Sequence, residues 1–195
     1  MLSTWGKCIF CNTKISTSMA VKHFSKCSKV NDVLKGEIDA YLIKIKDKYS
    51  AYYWLYVAVP LDYTLEDLDK FIRDIWVDCC GHASEFRINE ITYPSDFVVD
   101  YDGKKSMKTK LSEILNKGLY FEYTYDYGNS TELKLEVISS VKIKDKYIYI
   151  LGRNDNPLTR YSTSDKYIPN SPRVGICGYT GNKKLEESKI WPLKI

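Results

Sequence analysis

Four potential metal ligands near the amino terminus constrain this 195-residue chain more than any other feature. They stand in the spacing C-x2-C-x11-H-x3-C and are Cys8, Cys11, His23 and Cys27. Zinc prefers four nitrogen and sulfur ligands in a tetrahedron, and a C-x2-C pair on a tight turn supplies two of them. His23 and Cys27 are four positions apart, so a helix carries both on one face. The spacing therefore predicts a zinc site.

The segment around these ligands has few apolar residues with which to build a core of its own: Phe10, Met19 and Phe24. Three residues offer N-caps for the ligand-bearing helix: Ser16, Thr17 and Ser18. Bound metal would then supply the folding energy, about 10–16 kcal/mol. We expect residues 1–30 to form a C2HC zinc-finger module and residues 37–195 to form a separate body. The alternative is a set of unrelated buried cysteines with a surface histidine.

Positive charge is concentrated in this predicted module. Residues 1–30 contain five lysines and no acidic residue, whereas the other 165 residues hold 24 basic and 25 acidic side chains, so the net +4 divides into +5 and −1. A DNA-reading finger contacts bases through three helix positions. These correspond here to Ser16, Met19 and Lys22, of which only Lys22 is a typical base reader. We therefore expect a structural or protein-docking role ahead of sequence-specific reading.

Weak contact with nucleic acid remains open at this stage, because lysines bind phosphates without regard to sequence. Three lysines of the module are the candidate nucleic-acid contacts: Lys14, Lys22 and Lys26. The finger's partner is thus predicted to be a nucleic acid or a protein. A body with a charge of −1 gives no general electrostatic reason to bind nucleic acid or an anionic membrane.

The rest of the chain has the pattern of an α+β domain. Strands are predicted at residues 41–46, 52–59, 119–127, 132–139 and 142–151, with a further apolar-alternating segment at 85–92. Thr64 and Asp67 form a capping-box pattern that begins a helix, and a second helix is predicted over 105–116. Residues 30–36 and 93–104 look like connections. This order favours a mostly antiparallel sheet with two helices on one face, preceded by the small zinc finger.

The sequence gives no indication of a membrane-spanning or a secreted protein. The longest apolar run, residues 51–60, is ten residues long, about half of what a membrane-spanning helix needs. The amino terminus lacks the pattern of a secretory signal. We expect a cytoplasmic protein with no membrane partner, in which the six cysteines bind metal or stay free rather than form disulfides.

A second group of potential ligands consists of Cys79, Cys80, His82 and Cys177. Adjacent cysteines point apart on a regular strand, so binding one metal ion requires a special turn, which Gly81 could permit. We favour the alternative, in which two small buried thiols and a hydrogen-bonded histidine lie at a helix–strand junction. A cysteine nucleophile activated by the histidine is a further alternative, but the sequence contains no motif for a third residue that would orient the pair.

Two further polar features are weighed against structural explanations. Asp126 and Glu132 flank a predicted hairpin turn, where Asp more often caps the turn through backbone amides than performs acid–base chemistry. Three glycines, Gly175, Gly178 and Gly181, surround a possible anion contact by Arg173. No helix with the Lys-Ser/Thr pair of a nucleotide-binding loop follows them, so a folded loop is the expectation.

Three stretches of the body together resemble the plasmid pRiA4b ORF-3-like family, in particular its branch of insertion-element passenger proteins. They are CCGHASEF at 79–86, FEYTYDYGNSTEL at 121–133 and NSPRVGICGYTG at 170–181. The resemblance covers roughly residues 37–182. It implies an α+β domain found on mobile elements and chromosomes, with no established biochemical activity. Fusion of a small zinc module to this body is also similar to family members.

The chain departs from the family pattern at two places. Many members have Trp-x-His after the Asp-x-Gly turn, where Thr131, Glu132 and Leu133 stand here. Related passenger proteins often carry a cysteine-rich zinc-binding insertion before the NSPR segment, whereas residues 154–169 contain no cysteine. The resemblance therefore implies no histidine site at that turn and no zinc-binding insertion.

Two functions remain as hypotheses. We favour a non-enzymatic zinc-binding adaptor or nucleic-acid-associated protein linked to mobile genetic elements, because no catalytic constellation is evident. The alternative is an enzyme or small-ligand-binding protein with a site near His82, Asp126 and Arg173.

Overall fold

Ten antiparallel strands form one sheet in the computed structural model, which describes residues 4–95, 105–154, 171–179 and 190–192. The strands are β1 (Trp5–Cys8), β2 (Lys14–Ser16), β3 (Ile38–Asp47), β4 (Trp54–Pro60), β5 (Ser84–Ile88), β6 (Ile91–Pro94), β7 (Tyr120–Tyr125), β8 (Thr131–Ile143), β9 (Tyr147–Asn154) and β10 (Ile190–Pro192). Their spatial order is β2-β1-β9-β4-β3-β8-β7-β5-β6, and β10 also pairs with β9. The predicted class, α+β with a mostly antiparallel sheet, is confirmed.

Helices cover both faces of the sheet. They are α1 (Ala20–Phe24), α2 (Ser28–Leu34), α3 (Leu65–Ile72) and α4 (Leu111–Ile114), and α3 continues into a π-helical turn, Arg73–Val77. Leu65 and Leu111, from α3 and α4, pack into the core on one face. Phe24 and Val30, from α1 and α2, pack into the core on the other. Successive residues of a strand point to opposite faces of the sheet, so the central strands contribute side chains to the cores on both faces.

Helix α3 begins as its sequence predicts. The Thr64 side chain accepts a hydrogen bond from the Asp67 backbone at 3.2 Å, and Asp67 Oδ2 accepts one from the Thr64 backbone at 2.9 Å. This reciprocal pairing satisfies two amides that no helical carbonyl can reach. The predicted apolar stripe is buried against the sheet: Leu65, Leu68, Ile72, Ile75 and Trp76.

The helix predicted over residues 105–116 is much shorter in the structure, because only Leu111–Ile114 is helical. The backbone before it bonds elsewhere: Leu65 N donates to Thr109 O at 3.1 Å, and Glu66 N donates to Met107 O at 2.9 Å. These carbonyls face the amino-terminal amides of α3 and cap them, and the backbone that presents them this way is not helical.

Two other local predictions need correction. Residues 85–92 form a hairpin, β5 and β6, rather than one strand, and it turns at Asn89 and Glu90 with φ of 48° and 68°. Asn-Glu carries a weaker turn signal than Asn-Gly, although both positions need positive φ. The predicted connection at residues 30–36 is mostly helix α2.

The predicted tyrosine-rich hairpin is present as β7 and β8, with Phe121 opposite Leu135 and Tyr123 opposite Leu133. The side chains on the sheet's inner face are buried as expected: Phe121, Tyr123, Tyr125, Leu133, Leu135 and Val137. Tyr127, predicted on the same face, lies past the end of β7 and is 49% exposed.

The amino-terminal module joins the sheet through β1, which pairs with β9. Its side chains share the body's core, and the Phe24 ring meets the Tyr56 ring edge-on at 5.5 Å between centroids. The segment thus packs its few apolar side chains into the core of the body rather than into a core of its own. The capping prediction fails, because Met19 precedes α1 without a side-chain cap and Ser16 belongs to β2.

Some predictions fall outside the described residues, namely those on 96–104, on 155–170 and on Gly181. The proposed boundaries at residues 30 and 37 stay a prediction. Within the described residues no helix is long and apolar enough to cross a lipid bilayer.

Candidate functional site

The four amino-terminal ligands come from three pieces of local structure. Cys8 ends β1 and Cys11 lies in the tight turn to β2, which Cys8 N closes by donating to Thr13 O at 3.0 Å. Asn12 supplies the positive φ of that turn, 61°. His23 lies in α1 and Cys27 immediately precedes α2, with a helical hydrogen bond of 2.9 Å from Cys27 N to His23 O.

These pieces bring the four predicted ligands together. One ligand atom from each of Cys8, Cys11, His23 and Cys27 lies within 4.8 Å of all the others. Cys11 Sγ is 3.3 Å from His23 Nε2. A tetrahedron with zinc–ligand bonds of 2.0–2.3 Å has edges of about 3.5–3.8 Å, so small side-chain adjustments suffice to surround an ion. The set could hold a metal ion.

The two thiols of the Cys-x2-Cys pair differ in proton affinity. Burial raises the pKa of Cys8 to about 12. Burial also acts to raise the pKa of Cys11, but hydrogen bonds from Thr13 and from neighbouring thiols outweigh it and lower the pKa to about 6. A dication stabilises both thiolates, so metal binding at this pair would release protons.

The candidate nucleic-acid contacts Lys14, Lys22 and Lys26 are all exposed. Lys14 Nζ lies 5.1 Å above the Trp5 ring, which is itself 48% exposed. Among the three positions matched to base readers, only Ser16 is buried, at 2% exposure within β2. Ser16 therefore cannot reach a base in this fold.

The second group of cysteines is also a compact set. Ligand atoms of Cys79, Cys80, His82 and Cys177 all lie within 4.8 Å of one another. Residues 78–83 form a bend between the π-helical turn and β5 rather than a strand, and Gly81 has φ of 75°. The favoured interpretation of two small buried thiols was wrong, because Cys80 and Cys177 are exposed and Cys79 is half-buried.

The segment of residues 171–179 reaches this bend through a fully buried arginine. Arg173 Nη2 donates to Asp126 Oδ2 at 2.6 Å, and Arg173 Nη1 donates to the Asn129 carbonyl. The guanidinium carbon also lies 5.0 Å from the centroid of the Tyr125 ring. These contacts fix the segment against the turn between β7 and β8.

Asp126 caps that turn, as the structural explanation predicted. Its Oδ1 accepts hydrogen bonds from Gly128 N at 2.9 Å and Asn129 N at 3.3 Å. The hydrogen bond from Arg173 lowers the pKa of Asp126 to about 2, so the carboxylate stays charged. Glu132 is occupied elsewhere, because it accepts from Lys48 Nζ at 2.6 Å and from Tyr49 Oη at 2.7 Å.

The three residues of the alternative ligand site do converge. His82 Nε2 lies 3.5 Å from Asp126 Oδ2, which also binds Arg173. Arg173 is 0% exposed and Asp126 is 5% exposed, however, and both carboxylate oxygens already have donors. The polar groups are thus largely occupied by the fold itself.

Sequence reasoning missed a buried polar group beside this region. Asp69 accepts hydrogen bonds from Arg73, Ser84 and Tyr123, each at 2.7 Å. The sequence does indicate this buried acid, because Asp69 follows Leu65 by four positions and therefore lies on the apolar stripe of α3. An acid on such a stripe needs buried donors.

Most of the body is similar to a known protein family. The model of the plasmid pRiA4b ORF-3-like protein family matches residues 40–159. Among solved structures, a protein of unknown function from Methanosarcina mazei is similar, with 26% sequence identity, a TM-score of 0.47, and coverage of 59% of this chain and 68% of that one. The comparison with curated proteins returns no match.

Proposed function

The chain belongs to the plasmid pRiA4b ORF-3-like family, and we propose that it is a non-enzymatic zinc-binding adaptor linked to mobile genetic elements. Its amino-terminal metal module would dock onto a partner that presents an anionic surface. The link to mobile elements rests on the plasmid named in the family's description.

One observation carries this proposal: the convergence of Cys8, Cys11, His23 and Cys27 within 4.8 Å. Three thiolates and one imidazole are a ligand set that suits zinc, whereas magnesium and calcium prefer oxygen ligands. Cys8 is fully buried, which is typical of a closed structural site rather than of a catalytic metal with an open position.

The module's charge indicates the chemistry of the partner. Five lysines without an acidic residue attract phosphates or carboxylates, and Lys14, Lys22 and Lys26 are free to reach them at the surface. The exposed Trp5 and Met19, at 48% and 52%, add apolar contact area to the same module. Since Ser16 is buried, binding would depend on charge and shape rather than on base sequence.

An enzymatic or ligand-binding role near His82, Asp126 and Arg173 is the second candidate, favoured by the 3.5 Å approach of His82 to Asp126. It ranks lower because Asp126 and Arg173 are buried and bonded to each other. A general acid or base must reach the substrate proton within a hydrogen bond.

The docking proposal is tested by fluorescence anisotropy of the full-length, zinc-loaded protein with two probes: mixed-sequence duplex DNA and poly-glutamate. The variant K14Q/K22Q/K26Q removes three charges from the module. The matched control K108Q/K117Q/K134Q removes three exposed charges from the body. We expect salt-sensitive binding to at least one probe, weakened about tenfold or more by the module variant only.

The choice of probe identifies the partner. Binding to DNA alone indicates nucleic-acid phosphates, and binding to poly-glutamate alone indicates an acidic protein surface. Binding to neither probe at low salt, or equal weakening by the two triple variants, would contradict docking through the module.

A further inference from the structure

The fold divides every cysteine and histidine of the chain into two matching sets. The sequence contains six cysteines and two histidines. One set lies in the amino-terminal module, and the other consists of Cys79, Cys80, His82 and Cys177. We propose that this second set binds a metal ion of its own, a tetrahedrally coordinated zinc that joins the 78–83 bend to the 171–179 segment. The proposal does not depend on docking by the amino-terminal module.

Distances within the second set are close to those of a zinc tetrahedron. Cys79 Sγ is 3.6 Å from Cys80 Sγ, and His82 Nε2 is 2.9 Å from Cys80 Sγ and 3.7 Å from Cys177 Sγ. Edges of about 3.5–3.8 Å are expected around zinc with sulfur and nitrogen ligands. Of these three distances, only that between Cys80 and His82 needs to lengthen appreciably, and the other pairs of the set also lie within 4.8 Å.

The backbone overcomes the objection that adjacent cysteines point apart. A left-handed Gly81 follows Cys79 and Cys80, and the peptide turns back so that His82 joins them. Gly81 N donates to Asp78 Oδ1 at 3.2 Å, and His82 N donates to Tyr125 Oη at 3.1 Å. Hydrogen bonds to Asp78 and to Tyr125 of β7 therefore hold the bend with both thiols on the side of the histidine.

The fourth ligand arrives on a segment that is costly to form. Cys177 has φ of 49°, in the left-handed region that residues with a side chain rarely adopt. Backbone bonds on either side define the turn, since Ile176 N donates to Arg173 O at 3.1 Å and Tyr179 N donates to Ile176 O at 2.9 Å. Metal coordination would offset the cost of this strained position.

Charge around the second set suits thiolate ligands. Arg173 Nη2 lies 3.3 Å from Cys79 Sγ and 3.8 Å from Cys177 Sγ, so one buried guanidinium donates to two of the three sulfurs. Three thiolates with Zn²⁺ carry a net charge of −1 and Asp126 carries another −1, so the single positive charge of Arg173 offsets one of these two negative charges. Donors of this kind commonly orient metal ligands from behind.

A disulfide between Cys79 and Cys80 is the chief competing chemistry. Forming it would remove two hydrogens with two electrons and would need an oxidant. Their sulfurs are 3.6 Å apart, whereas a disulfide bond is about 2.05 Å long. A disulfide would also leave His82 and Cys177 without a role in the set.

The test follows alkylation of each cysteine in the full-length, zinc-loaded protein by peptide mass mapping, with and without a zinc chelator. We expect Cys80 and Cys177 to be protected at least tenfold by the metal, despite their exposure in the fold. In native mass spectra, Cys177→Ser should carry one zinc less than the wild type. The matched variant Cys11→Ser should lose its zinc from the other set and leave Cys80 protected.

Cobalt titration of the wild-type chain covers the case in which Cys177→Ser fails to fold. Two equivalents giving thiolate-to-cobalt charge-transfer absorption are expected, and one equivalent that leaves Cys80 and Cys177 open to alkylation would overturn the proposal. Equal alkylation of Cys80 and Cys177 with and without chelator would also overturn it, as would a mass two hydrogens lower with the bond mapped to Cys79 and Cys80. Alkylation of the amino-terminal cysteines is measured on separate peptides, so metal binding at each of the two sets is tested independently.

Discussion

Arg173 and Asp126, 47 positions apart in the chain, form a buried ion pair with 2.6 Å between Nη2 and Oδ2. The pair fastens the 171–179 segment to the turn between β7 and β8, directly behind the second Cys/His set. The Asp126 carboxylate also accepts a hydrogen bond from the backbone amide of the turn. The ion pair therefore stabilises the β7–β8 hairpin, the 171–179 segment and, with that segment, the position of Cys177.

Removing this arginine should be strongly destabilising. Arg173→Met leaves the Asp126 carboxylate buried without its cation, and breaking a buried pair in this way costs about 3–5 kcal/mol. Urea unfolding of the zinc-loaded protein at neutral pH measures the loss. Arg87→Met is the matched control, since Arg87 is exposed on β5 and should change stability by about 0.5 kcal/mol or less. Similar losses in the two variants would contradict the role given to the pair.

Tyr123 and Tyr120 offer a comparison within one strand. Tyr123 is buried and donates to Asp69 Oδ1 at 2.7 Å, while Tyr120 is 67% exposed and donates to Glu136 Oε1 at the same distance. Tyr123→Phe should cost about 1.5–3 kcal/mol, because a charged buried acceptor loses a donor. Tyr120→Phe should cost about 0.5 kcal/mol or less, because water replaces the hydroxyl. Equal unfolding midpoints for the two variants would show that the Asp69 network is not a stabilising centre.

Gly152 is needed where the amino-terminal module meets the sheet. A Cβ at this position would lie 2.9 Å from Phe24 Cζ and 3.2 Å from the Lys7 carbonyl oxygen. Gly152→Ala should therefore force β1 and α1 away from β9, at a cost of about 1–3 kcal/mol. Gly128→Ala is the control, because its nearest neighbour would be a side-chain oxygen at 3.4 Å. Thermal unfolding of the two zinc-loaded variants makes the comparison, and an unchanged Gly152→Ala midpoint would argue against the tight packing.

Metal removal should loosen the module before the body. The four ligands tie together β1, the turn to β2, α1 and the start of α2, and that folding energy is lost with the ion. Hydrogen exchange of the chelated protein should accelerate at residues 5–34 by tenfold or more. The central pairing of β3 with β8 should keep its protection, since it is the longest ladder in the sheet. If hydrogen exchange accelerated equally in both regions, the amino-terminal module and the body would unfold as one unit, which would contradict the prediction.

Local patterns predicted much of this architecture. The capping box of Thr64 and Asp67, the alternating face of the β7–β8 hairpin and the amino-terminal ligand spacing each depend on residues that lie within one short stretch of the chain. Short-range geometry determines such features, so a single sequence suffices to predict them.

Features that depend on tertiary contacts were not predictable in the same way. The carbonyls of Met107 and Thr109 bond to α3 instead of continuing a helix, and their partners are over 40 positions away. Cys177 lies near Cys79 through tertiary contacts of its segment, among them the pairing of Arg173 with Asp126 across the fold. Cys177 is a potential ligand by sequence together with the three other residues of the second Cys/His set, but structural thiols were the favoured interpretation, because the local sequence near Cys79 does not show that the four converge.

The most direct test of the central claim is the zinc content of the full-length protein and of Cys11→Ser, measured by native mass spectrometry at neutral pH. The account predicts that the wild type carries zinc and that Cys11→Ser carries one ion fewer, because Cys11 lies among the four converging amino-terminal ligands. Identical zinc content in the two proteins, or a wild type without zinc after expression with ample metal, would contradict it.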